Sequence, residues 1–154
     1  MSVRLGWATA ADVAELAQLT AQGAHDPLSE AQLQAEIERA RAHLLVARTE
    51  ANQLVGYVLY WHVADEMEIH DVVVHPAHRR KGIARALFKE IFSMAKTTRC
   101  NHIHLDVRET NETAVALYRG LGFVSVGTRA NYYRKNNENA VLMRLDLEGP
   151  STGA

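Results

Sequence analysis

The chain is 154 residues long and 47% apolar, with 17 Lys and Arg against 18 Asp and Glu. That size suits one domain with its own core, without disulfides or metal, and the near-zero net charge excludes a bulk attraction to nucleic acid or to a membrane surface. Cys100 is the sole cysteine, so no internal disulfide can form; with no apolar leader and no run of spanning length, a cytoplasmic protein is expected.

Val3 to Trp7 reads as a first strand. Thr9 with Asp12 resembles a capping box, and Val13, Leu16, Ala17 and Thr20 recur at helical spacing, which predicts a helix over 9–22. Gly23 to Leu28 interrupts it. Ser29 with Gln32 is a second capping box, and Leu33, Ile37 and Ala40 carry a helix to about Arg41. Residues 43–48 and 54–63 form a strand hairpin, and Ala64–Asp65 turns the chain into a strand over 66–74. Its final Val72-Val73-Val74 suggests burial on both faces.

Pro76 ends that strand. Gly82 opens a long helix with Ile83, Leu87, Ile91 and Met94 on one face. A strand follows over 102–107, with Ile103, Leu105 and Val107 on one face; Thr110 or Asn111 caps a helix that Gly122 stops. Residues 123–128 and 140–147 are two last strands, with a long polar loop over 129–139 between them and a disordered tail over 148–154. The order predicts a single α/β domain over 1–147, a mixed sheet with helices on its faces.

Charge is uneven locally. Asp65, Glu66 and Glu68 cluster, and Arg79, Arg80, Lys81 and Arg85 follow. In Val72-Val73-Val74-His75-Pro76-Ala77-His78-Arg79-Arg80-Lys81-Gly82-Ile83-Ala84 a strand ends, a basic turn follows and a helix begins at glycine. Unpaired N–H groups and the positive end of the helix dipole make such a start an anion site suited to a pyrophosphate. Gly82 admits a ligand close to the backbone, and Ala84 keeps the next turn free of bulk. The nucleotide-triphosphate loop would need a second Gly with Lys-Ser/Thr, and the dinucleotide fingerprint three glycines. The plainer reading is a solvated basic turn.

Arg79-x-x-Gly82-x-Ala84 after a Val-rich strand resembles the acetyl-CoA motif of the GNAT superfamily of N-acetyltransferases. Leu105-Asp106-Val107-Arg108-Glu109-Thr110-Asn111, then Ala114-Val115-Ala116-Leu117-Tyr118 and Leu121-Gly122-Phe123, resemble its second signature. Within the superfamily the chain is most similar to RimI-type ribosomal-protein-alanine N-acetyltransferases. That similarity rests on Leu105–Asn111, on Asn131-Tyr132-Tyr133 and on the Glu138 to Met143 segment. The resemblance implies a mostly antiparallel mixed sheet of about seven strands with about four helices. It also implies acetyl-CoA as co-substrate without metal, and direct transfer to an amine.

The same resemblance implies roles. The backbone of Val72, Val73 and Val74 would pair with the pantetheine arm, and Arg79, Arg80, Lys81, Gly82, Ile83 and Ala84 would hold the pyrophosphate. Tyr118 would protonate the leaving thiolate, where the plainer reading is a packing residue; Asn111 would touch the cofactor arm, cap the helix, or both. RimI-type enzymes carry Glu where this chain has Asp106, one methylene shorter, so a bridging water would close the gap to the amine. Glu68 matches a strand carboxylate that serves as a water-mediated base in histone-type members, and His70 on the same face could join it. Tyr132 and Tyr133 would line a peptide groove, or simply anchor their loop.

A weakly placed base favours an α-amine, with pKa about 7.7 to 8.0, over a lysine at about 10.4. The expected acceptor is thus a protein N-terminus, with a lysine or small-molecule amine as one alternative and a non-catalytic acyl-CoA-binding module as another. His102, His104 and Asp106 alternate along a strand, but three ligands so placed spread over about 13 Å, too far for one metal ion. Cys100 lies outside the motifs, and the chain is expected to be a monomer or homodimer.

Overall fold

A computed structural model describes residues 2–133 and 138–147, with the side chain of Tyr133 outside that description. The strands are β1 (Val3–Trp7), β2 (Ala42–Thr49), β3 (Leu54–Val63), β4 (Glu66–Val74), β5 (His102–Arg108), β6 (Val124–Tyr133) and β7 (Glu138–Asp146). The α-helices among the described residues are α1 (Val13–Gly23), α2 (Glu30–Glu38), α3 (Ile83–Thr97) and α4 (Glu112–Gly120). The strands form one sheet in the order β1-β2-β3-β4-β5-β7-β6. β4 and β5 pair in parallel, whereas β1–β2, β2–β3, β5–β7 and β6–β7 pair antiparallel. This is the mixed α/β sheet that the element order predicted, mostly antiparallel as the family resemblance implied. No helix among the described residues is long and apolar enough to cross a membrane.

Local chemistry sets the helix ends. Ser29 Oγ accepts from the Gln32 N–H at 3.1 Å while Gln32 Oε1 accepts from the Ser29 N–H at 2.8 Å, the reciprocal box read from the sequence. The first helix differs from the expected 9–22 span: Ala10–Asp12 is a tight 3-10 turn, and α1 starts at Val13. Asp12 is held there by two partners, the Thr9 N–H at 2.8 Å and Arg48 at 2.7 Å. Helix α2 stops at Glu38, short of Arg41, because Arg39 turns extended and both Arg39 and Arg41 lie over the Trp61 ring, at 4.8 and 4.5 Å.

The chain divides into two compact units, and β4 contributes to each: Met1–His62 with His70–Met94, and Val63–Ile69 with Ala95–Ala154. In the first, Leu16 and Leu19 of α1 and Leu33 of α2 share a core with Leu44, Val46, Tyr57, Leu59 and Val73. Ile83, Leu87 and Ile91 of α3 are buried as their spacing predicted. Gly56 on β3 makes room for that helix, since a Cβ there would stand 3.0 Å from Ile83 Cγ2. In the second unit Ile103, Leu105 and Val107 line the buried face of β5, together with Phe123 and Met143.

Two expectations are corrected. The polar stretch 129–139 is not simply a loop: β6 runs to Tyr133 and β7 begins at Glu138. β6 is the edge strand and is exposed from Val124 to Tyr132, so no hydrophobic period marks it; backbone pairing with β7 makes it a strand. The register slips between Arg129 and Tyr133, where Asn131 is left-handed (φ 52°) and gives its N–H to Asn139 Oδ1 at 3.0 Å. In the Val run, only Val73 is buried; Val72 and Val74 are half-buried, so the strand end is not covered on both faces. The expected tail over 148–154 lies outside the described residues.

Gly23, at the end of α1, is a test of this packing. A Cβ there would meet Val73 Cγ1 at 2.9 Å and the Val74 carbonyl oxygen at 3.1 Å. A backbone oxygen yields little, so Gly23→Ala is expected to cost about 1–3 kcal/mol, read as a lower urea midpoint with an unchanged slope.

Candidate active site

In the first unit, β4 delivers the chain into the basic turn. His75 Nδ1 accepts from the Ala77 N–H at 3.1 Å and caps a one-turn 3-10 helix, Pro76–His78, absent from the sequence reading. Arg80 (φ 65°) and Gly82 (φ 79°) are both left-handed, so the turn presents successive N–H groups before α3 begins. A Cβ on Gly82 would meet nothing within 4 Å, which leaves open space above the turn. Arg80, Lys81 and Arg85 are exposed beside it. His78 Nδ1 is buried with no hydrogen-bond partner among the described residues. Burial first, and then Lys81 and His75, hold its pKa below the usual histidine value. Open backbone donors, three free-standing cations and an orphaned ring nitrogen fit a pyrophosphate.

Arg79 does something the motif did not announce. Its Nε donates to the Val74 carbonyl at 3.2 Å and an Nη to the Gly23 carbonyl at 3.0 Å, clipping the end of α1 to the end of β4. Ile83 is buried beneath the turn and Ala84 half-buried, so these two anchor the start of α3.

The middle of β4 is irregular. Exposed Glu66, Glu68 and His70 alternate with buried Met67 and Ile69, and then Asp71 and Val72 are both half-buried. The His70 ring packs on Trp61 at 4.4 Å, while Asp71 Oδ2 accepts from the Tyr57 hydroxyl at 2.6 Å. Tyr57 and Trp61 are four apart on β3 and share a face, so the adjacent His70 and Asp71 reach the same face. A regular strand cannot do this; an extra residue in β4 can.

In the second unit the parallel ladder runs from Glu66↔His102 to Ile69↔Leu105. Glu68 stands opposite His104, and Asp106, two residues on, shares that exposed face and pairs with Leu142 of β7. The two candidate base carboxylates are thus placed on one face of this unit. His102 binds Asp146 at 2.8 Å and His104 faces Glu66 at 3.3 Å, so the two histidines serve different carboxylates. Among the described residues no three His, Cys, Asp or Glu are grouped to hold a metal.

Asn111 caps α4, its Oδ1 accepting from the Ala114 N–H at 3.1 Å. The turn before it is pinned from β7, where Glu138 takes Arg108 at 2.9 Å and also the Thr110 N–H and hydroxyl. Tyr118 is the buried residue of α4, with its ring edge-on to Phe123 at 5.9 Å. The packing reading is therefore realised, and it fixes where the phenol hydroxyl sits. Tyr132 is exposed, with Arg129 over its ring at 4.9 Å; the side chain of Tyr133 lies outside the described residues.

A family model described as the acetyltransferase (GNAT) family matches residues 10–123. The chain belongs to that family. The N-alpha-acetyltransferase RimI of Mycobacterium tuberculosis is 36% identical over 155 positions, covering 97% of this chain and 96% of its own. The ribosomal protein bS18-alanine N-acetyltransferase of Escherichia coli is 30% identical over 101 positions, or 64% of this chain and 68% of its own. The crystal structure of the ribosomal-protein-S18-alanine N-acetyltransferase from Escherichia coli superposes with a TM-score of 0.90, covering 99% of both chains at 22% identity. One subunit of the NatC complex bound to Gag peptide and CoA shares the fold, with a TM-score of 0.82, 19% identity and 96% of this chain covered.

Within this GNAT chain the sequence reading missed Asp71 with its partner Tyr57, and the clip made by Arg79. A lone Asp inside an apolar strand was the available signal for the first. For Asn111 the cap alone predicts a modest effect: Asn111→Ala should lower stability by about 1 kcal/mol in chemical denaturation, because the Ala114 N–H loses its acceptor.

Proposed function

We propose that the chain transfers the acetyl group of acetyl-CoA to the N-terminal α-amine of a protein, of the ribosomal-protein class, in the cytoplasm. The near full-length match at 36% identity to an N-alpha-acetyltransferase carries this reading. The left-handed turn at Arg80 and Gly82 supports the cofactor half of it.

The roles follow from chemistry. The N–H groups from Arg80 to Ala84 hold the pyrophosphate, with Lys81 adding charge, and Arg79 acts by fixing the turn against α1. The backbone beside the half-buried Val72 and Val74 side chains pairs with the pantetheine arm, while Val73 anchors the strand in the core. When bound, acetyl-CoA supplies an activated acyl carbon, and the acceptor nitrogen attacks it directly. Tyr118 donates its phenol proton to the departing thiolate; a phenol of pKa about 10 can protonate a thiolate of about 8.5 when its hydroxyl is fixed within reach. Exposed Glu68 on β4 and Asp106 on β5 attract the acceptor ammonium and order water around it, and His70 follows Glu68 two residues on. Asn111 caps α4 and turns its remaining amide hydrogens to the cofactor arm. Exposed Tyr132 lines the peptide side.

A peptide panel read by mass spectrometry tests the reading: an Ala-starting basic peptide, its N-blocked twin with internal lysines, and a polyamine. Acetyl is expected on the free α-amine alone, and product only on lysine or polyamine would overturn the acceptor assignment. Tyr118→Phe should lower kcat by roughly 10²–10⁴ with little change in KM for acetyl-CoA. An equal fall in both wild-type and variant rates on removing only the thioester's leaving-group demand, as with a thiol of low pKa, would not occur; that substrate should instead narrow the gap between them.

A further inference from the structure

The buried polar chain behind β4 belongs to no motif. Thr20 on α1 is completely buried, and its Oγ1 accepts from the Leu28 N–H at 3.1 Å. Its hydroxyl hydrogen-bonds Tyr57, which is also completely buried, and Tyr57 donates to Asp71 Oδ2 at 2.6 Å. The Asp71 carboxyl also bonds the Val72 N–H. A relay of hydroxyls thus runs from the α1–α2 connection through the core and ends on one half-buried carboxyl group. A fold seldom keeps a carboxyl in such a place without use, since an apolar side chain would pack there at lower cost.

Position is the second argument. Asp71 reaches the face of Tyr57 and Trp61 and stands directly before Val72, on the strand segment proposed to run beside the acyl-bearing arm. Glu68 and Asp106 are exposed, whereas Asp71 is fixed by Tyr57 and shielded from bulk water. We propose that Asp71 is the group that takes the proton from the acceptor amine, held in place by Tyr57 and Thr20; this rests on the acetyltransferase reading.

The balance is simple. An acceptor R–NH3+ gives one proton to the Asp71 carboxylate and becomes R–NH2. The nitrogen lone pair forms the C–N bond and the C–S bond breaks. The second nitrogen proton leaves as the amide forms, offsetting the one that Tyr118 gives the thiolate, and Asp71 returns its proton to water. The products are the acetylated amine, CoA thiol and one released proton.

The electrostatics agree. Burial is the largest influence on Asp71 and raises its pKa, and the negative Asp26 on the α1–α2 connection raises it further; the donors Tyr57 and Val72 N–H pull it down. His70 precedes it on the same strand, and Thr20 of α1 meets it only through Tyr57. A carboxyl whose pKa is raised is a better proton acceptor for an amine than an ordinary exposed one. The sign for stability also helps the test. A folded-state pKa above the unfolded value means stability falls as pH rises past the unfolded value, so Asp71→Asn should fold at neutral pH at least as well as wild type.

The test measures kcat against pH at saturating Ala-starting peptide, which reports groups of the bound complex rather than the free peptide amine. Asp71→Asn should lose roughly 10²–10⁴ in kcat and lose the acidic limb, while binding acetyl-CoA as wild type does. Tyr57→Phe removes a donor from the carboxylate, so its acidic limb should move to higher pH. If Asp71→Asn keeps its rate and its limb, or slows while neither variant moves the limb, Asp71 is not the proton acceptor. Those results leave the acetyltransferase reading intact, because wild type still makes product. Wild type that binds acetyl-CoA yet acetylates no amine would instead remove that reading, and this proposal with it.

Discussion

The departure of β4 from strand alternation at His70 and Asp71 is the constraint on which the proposed chemistry depends. Up to Ile69 the strand is regular and laddered to β5, with Met67 and Ile69 buried and Glu66 and Glu68 exposed. Past that point His70 and Asp71 both reach the face of β3 that carries Tyr57 and Trp61, and Val72 and Val74 are only partly covered. The strand thus ends in partly covered residues beside a carboxyl held by Tyr57.

The turn after β4 shows how a charge in a motif divides its labour. Three cations stand in sequence, Arg79, Arg80 and Lys81, yet they do not act alike. Arg79 spends its donors on the carbonyls of Val74 and Gly23, so it shapes the turn. Arg80 and Lys81 stay exposed, and Arg80 and Gly82 adopt a left-handed backbone just before α3. Gly23 completes the device: the Arg79 clip reaches its carbonyl only because no side chain stands between α1 and Val73.

The second unit solves a different problem, the fixing of one phenol. Asn111 starts α4, and Glu138 on β7 ties down Arg108 and Thr110 just before it. Phe123 then packs on the Tyr118 ring and gives its N–H to the Tyr118 carbonyl at 3.0 Å. The helix is held at both ends, so a side chain projecting from its buried face has little freedom. Such preorganisation suits the general-acid role proposed for Tyr118.

Much of this was written in the sequence. Periodicity gave the buried faces of α3 and β5, capping chemistry placed the start of α2 at Ser29, and the two glycine-bearing signatures were enough to place the chain in its family. These are local properties: each depends on residues a few positions apart, where side-chain geometry and backbone preference act directly. The strand character of residues 129–133 was not legible, because an exposed edge strand has no hydrophobic period and exists only by pairing with β7. Nor was the Arg79 clip, which joins residues 56 apart, or the meeting of Thr20, Tyr57 and Asp71 from α1, β3 and β4. Sequence alone determined which residues were present to do chemistry; only the tertiary structure decided which of them meet, because hydrogen bonds and burial depend on distances that the chain order does not contain.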